Sequence, residues 1–113
     1  MELEIFQLAL LRRPSDPTSY DDETLENIQR QHLEYHERLR AEGRVVTNGP
    51  VSDQSDDSLR GVAFYRCGSL PHARALAEAD PAVVAGRLVV EVMTWWCPPG
   101  TMVLAGTPLT IDG

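Results

Sequence analysis

The chain has 113 residues, ten basic and seventeen acidic side chains, and a formal net charge of −7. That length corresponds to one domain with one core, so a ligand site belongs at an edge or a subunit interface rather than deep inside. The basic residues are all arginine and are scattered along the chain, which argues against nucleic acid and against an acidic membrane surface as partners.

The opening residues, MELEIFQLAL, lack a basic segment and carry two glutamates, so they do not read as a secretory signal. No apolar run approaches the ~20 residues of a bilayer span. Cys67 and Cys97 match no metal or redox spacing. The expected location is the cytoplasm, with both thiols reduced.

Leu3 to Leu11 reads as an apolar strand. Arg12 to Tyr20 holds Pro14 and Pro17 among small polar residues and reads as a loop. Asp21 or Asp22 caps a helix running to about Glu42, with Leu25, Ile28, Tyr35 and Leu39 on one stripe at ~100° per residue. Gly43 is placed to stop it. Arg44 to Thr47 is a short strand that ends in Asn48-Gly49-Pro50. Val51 to Leu59 is polar and reads as a mobile hairpin connection. Gly61 to Cys67 is a strand.

Ser69 caps a second helix with Pro71 in its first turn, ending near Asp80 because Pro81 follows. Pro81 to Gly86 reads as a short turn, and Leu88 to Trp96 as the strongest strand. The order βαββαβ is the ferredoxin-like pattern of the α+β class, with a four-stranded antiparallel sheet. Its first strand lies between the third and fourth. That arrangement sets Cys67 and Cys97 roughly 10 Å apart, beyond disulfide reach. Residues 1–96 form the domain and 97–113 a C-terminal extension, whose Met102, Val103 and Leu104 suggest partial packing.

His32 falls near the middle of the apolar helical stripe, and imidazole is the side-chain type that serves as general base or acid near neutral pH without large tuning. As a plain structural residue it needs only a hydrogen-bond partner. Asp80, read as the last turn of a helix, faces the negative end of the dipole at a cost of about 0.3–1 kcal/mol. A local Asp-Pro turn is the simpler account. If the two meet, the carboxylate orients the ring and raises its basicity. His32 and His36 have chelating i, i+4 spacing, but Leu33 stands where a zincin has glutamate and no third ligand is evident, so no metal is expected. His36 lies at the stripe's edge and reads as half exposed. Trp95 and Trp96 point to opposite faces of the last strand, one under the helices and the other toward a partner. Gly49, Pro50 and Trp95 are the candidate substrate-binding positions.

His32-Leu33, the spacing from His32 to Gly43, Gly43-Arg44-Val45-Val46, Gly49-Pro50 and Glu78 to Gly86 (EADPAVVAG) together resemble the YCII-related family over roughly residues 3 to 96. The resemblance implies a dimeric α+β barrel in which two sheets face each other and each protomer has its own site. It implies a histidine–aspartate pair that falls on His32 and Asp80. The characterised activity it brings is loss of HCl from a chlorinated hydroxyhydroquinone, without metal or organic cofactor. The expected function is therefore cofactor-free proton transfer on a small cyclic or aromatic metabolite by a homodimeric lyase or isomerase. The alternatives are a non-catalytic small-molecule-binding or accessory domain and a purely structural dimer.

Overall fold

The computed structural model describes residues 2–103. Its elements are β1 (Glu4–Arg12), α1 (Asp22–Ala41), β2 (Val45–Pro50), β3 (Leu59–Tyr65), α2 (Leu70–Glu78), α3 (Pro81–Val84) and β4 (Val89–Cys97). The strands form one antiparallel sheet in the order β2-β3-β1-β4. This is the ferredoxin-like α+β arrangement expected from the element order.

Local chemistry sets the helix ends. Asp21 accepts the Thr24 N–H at the start of α1, and Ser69 accepts the His72 N–H at the start of α2. Gly43 adopts φ +74°, which lets its N–H reach the Arg40 carbonyl and the Arg44 N–H reach the Leu39 carbonyl. That pair of bonds closes α1 as a Schellman motif.

The register sorts the core into two faces. On β1, Ala9 and Leu11 point toward the helices, as do Ala63 and Tyr65 of β3 and Val90 and Val92 of β4. Tyr35 and Leu39 of α1 and Ala73 and Ala77 of α2 pack onto that row. The small side chains at Ala9, Ala63, Ala73 and Ala77 let α2 lie close to the sheet.

The other face is apolar and carries no helix. Phe6, paired with Trp95, and Leu8, paired with Phe64 and Met93, lie there. Phe6, Val46 and Cys97 are buried on it, with Met102 packed against them. Cys67 packs against the helix-side cluster instead, so the sheet separates the two free thiols.

Four expectations change. Neither tryptophan lies under the helices: Trp95 is on the open face, partly buried against Phe6 and Phe64, and Trp96 pairs with Ile5 beyond the helices' reach and is exposed. The segment read as a turn, Pro81 to Gly86, contains the helical turn α3. The polar connection after β2 is tied down: Arg12 bonds Asp56 at 2.6 Å, and the Arg13 N–H reaches the Ser58 carbonyl at 2.7 Å. The last strand extends through Cys97. Of the tail residues singled out, Leu104 lies outside the described residues. No helix among the described residues is long and apolar enough to cross a membrane.

Candidate functional site

α3 decides where Asp80 goes. Asp80 follows the α2 cap Ala79 and is itself the N-cap of α3, its Oδ1 accepting the Ala82 N–H at 2.9 Å. The expected dipole penalty is thus overturned, because the carboxylate sits at the positive rather than the negative end of a helical turn. Tyr35 anchors the same region from α1, donating its hydroxyl to the Leu76 carbonyl at 2.7 Å. α3 then packs across α1.

The result is a buried cluster. His32 Nδ1 lies 2.7 Å from Asp80 Oδ2, and His36 Nε2 lies 3.0 Å from the same oxygen. Asp80 is 1% exposed. Burial pushes its carboxyl up, but the hydrogen bonds from His32 and His36, the His32 charge and the Ala82 N–H outweigh it and hold the carboxyl down at about 2. An ionised carboxylate only accepts, so both contacting nitrogens carry hydrogen. In the neutral His32 ring this leaves the Nε2 lone pair, which no protein group engages among the described residues.

His36 is the residue that sequence reasoning misplaced. It is 1% exposed, not half exposed, because α3 covers the edge of the α1 stripe. Its Nδ1 is buried with no partner. The i, i+4 spacing to His32 was the available signal. What it could not convey was the carboxylate between the two rings.

The three side chains bring candidate metal-ligand atoms within 4.8 Å of one another. The 2.7 and 3.0 Å contacts, however, are hydrogen-bond lengths. Two ligands on a tetrahedral zinc stand ~3.3 Å apart with no proton between them. An ion would have to break both bonds to enter.

Beside the cluster lies a cavity of about 450 Å³ between α1 and the β2–β3 edge. His32 and His36 form part of its wall, with Leu25 and Ile28 of α1. Gly49 and Pro50 line it, whereas Trp95, on the opposite face of the sheet, does not. The cavity is thus formed by this one chain, on the helix side of the sheet. Gly61 also lines it, and a Cβ there would come within 2.9 Å of the Gly49 carbonyl.

The fold and this cluster define a ferredoxin-like α+β domain with two histidines on one buried carboxylate at a cavity wall. The chain belongs to the YCII-related domain family, whose sequence model matches residues 8–96. It is 33% identical over 64 residues to the uncharacterized protein YjpA of Bacillus subtilis (strain 168), covering 57% of this chain and 71% of that protein. It is also similar to 5-chloro-2-hydroxyhydroquinone dehydrochlorinase (TftG) from Burkholderia phenoliruptrix AC1100, solved in complex with 2,5-dihydroxybenzoquinone. The TM-score is 0.54 at 21% identity, over 81% of this chain and 93% of that one. The second likeness is one of fold.

Proposed function

We propose that the protein is an enzyme that moves a proton on a small cyclic or aromatic metabolite, by elimination or isomerisation beside a carbonyl. The observation that carries this reading is the 2.7 Å contact from His32 Nδ1 to a buried, ionised Asp80 in a ring that lines a cavity. His32 Nε2 takes the proton from carbon. In an elimination, the C–H electron pair becomes the new double bond, and the leaving group departs with its own pair. Asp80 holds the tautomer and stabilises the imidazolium that forms. These residues need no metal or organic cofactor for such a step. TftG, a dehydrochlorinase, supports the reaction class.

The test supplies 5-chloro-2-hydroxyhydroquinone and follows chloride release. In parallel, 2,5-dihydroxybenzoquinone in D2O is followed by NMR for exchange of its ring hydrogens. The protein is expected to accelerate at least one of these above the buffer rate. A ligand that binds yet shows neither reaction would favour a binding or accessory domain.

We also infer a homodimer in a cytoplasmic setting, joined through the helix-free sheet face. The support is that face's apolar row, which includes Leu8, Phe64, Met93 and Trp95. In this reading residues 1–96 are the domain and 97–113 its extension. Native mass spectrometry at micromolar protein is expected to give a dimer for the wild type and a monomer for Met93→Arg. A wild-type monomer would overturn the assembly without touching the site.

A further inference from the structure

We propose that the cavity beside His32 takes an anionic ligand: a single-ring carboxylate whose charge is met by Arg13, Arg60 and Arg87. The proposal rests on reading this cavity as the site of His32's chemistry, and it adds the ligand class.

The chain is acidic overall, yet three of its ten arginines line this one cavity. No acidic residue lines it among the described residues. Asp80 stands behind His32, with its charge taken up by two imidazoles and an N–H. The three guanidinium groups are not neutralised from elsewhere. Arg12 pairs with Asp56 and Arg44 with Glu42, but Arg13, Arg60 and Arg87 have no carboxylate within ion-pair distance among the described residues. Arg87 donates to the Thr18 carbonyl at 3.0 Å, and Arg60 to the Asp57 carbonyl at 3.4 Å. These neutral acceptors orient a guanidinium and leave its charge intact.

The fold gathers the three at one end of the sheet. Arg12 is paired with Leu59 on one side and Val89 on the other. Arg13, Arg60 and Arg87 are each within two residues of that row. Arg87 is further set by the end of α3: Gly86 at φ +75° lets the Arg87 N–H reach the Ala82 carbonyl at 2.9 Å. The loop after β1 is fastened to the same turn, with the Thr18 N–H on the Gly86 carbonyl and the Tyr20 hydroxyl on the Ala85 carbonyl.

The rest of the wall is different. Leu11, Leu25 and Ile28 give it an apolar lining on which His32 sits. A ligand that matches both parts has an apolar body and a negative charge at one end. A volume of about 450 Å³ holds one ring with a substituent. Guanidinium groups recognise a planar carboxylate with two parallel hydrogen bonds, which favours a carboxylate over a spherical anion. The same positive end offsets negative charge that builds on a carbonyl oxygen as His32 removes a neighbouring proton.

Isothermal titration of benzoate and of its neutral analogue benzamide into the full chain tests this. Benzoate is expected to bind, with benzamide about tenfold weaker or worse. Arg13→Gln/Arg60→Gln, two exposed sites with no carboxylate partner, is expected to weaken benzoate about tenfold with the melting temperature unchanged. His32→Asn is expected to keep benzoate affinity within about threefold, since the charge is met elsewhere. Equal affinity for benzamide and benzoate, an unaffected double arginine variant, or no saturable benzoate binding at about 20 mM would each overturn the proposal. None of these outcomes decides whether His32 moves a proton. Conversely, arginine-dependent benzoate binding alongside a His32→Asn variant of full turnover would remove the catalytic reading and keep the anion site.

Discussion

His32→Asn is expected to lower turnover by about 10²–10⁴-fold, the range a positioned acid–base group supplies. The fold is expected to persist. His32 is only part-buried, and an asparagine amide can still donate toward Asp80. The melting temperature and native mass are therefore predicted to stay near wild type while deuterium exchange and chloride release fall by that factor. A variant that turns over at the wild-type rate would remove His32 from the chemistry. A variant that loses activity only because it unfolds would show that the ring is structural. Circular dichroism on the same samples separates the two.

Asp80→Ala is expected to have the larger effect on stability, about 3 kcal/mol. The carboxylate accepts from three donors: His32, His36 and the Ala82 N–H. Its removal leaves the two histidine N–H groups without a partner, at about 1–3 kcal/mol each where no water reaches them. It also deletes the cap of α3, worth about 1 kcal/mol. Part of this total is recovered by relaxation, so the sum is an upper bound. Asp80→Asn keeps one acceptor and is expected to be the milder change in stability. Its turnover is still expected to fall about 10–100-fold, because the partner that orients His32 is lost.

The pH dependence has a definite sign. The Asp80 carboxyl is held at about 2 in the folded protein, below the value near 4 of an unfolded chain. The unfolded state therefore takes up this proton first as pH falls. The stabilisation from Asp80 is present in full above about pH 5 and is lost as pH drops through about 4 toward 2. Urea titrations at pH 7, about 4 and about 2.5 are expected to show a steeper acid loss for wild type than for Asp80→Asn. Parallel losses in the two proteins would mean that other carboxylates govern the acid transition.

Much of the architecture is local and was legible without coordinates. The α1 stripe, the Asp21 cap, the Gly43 stop and the Ser69-Leu70-Pro71 start are set by residues within a few positions of one another, so a linear reading finds them. The βαββαβ order follows, and with it the central place of β1. His32 stood out for the same reason, as a titratable ring among apolar residues at helical spacing. Its partner Asp80 was marked by the resemblance of the EADPAVVAG segment to the family.

The remaining features depend on surfaces that meet only after folding. Pro81 to Val84 is too short to announce itself as a helix. Once formed, it turns Asp80 from a carboxylate at the wrong end of α2 into the cap of α3. It also buries His36, which the wheel left at an edge. The tryptophans needed the register, because alternation states that they point apart but not which face the helices cover. The arginine lining of the cavity needed the sheet, since Arg13, Arg60 and Arg87 are far apart in the chain and converge only where β1 ends and β3 and β4 begin. The sequence by itself determined the elements and the ring at position 32. The tertiary structure alone decided that two histidines share one carboxylate and that three arginines line the cavity beside them, because those are meetings across tens of residues that no local spacing records.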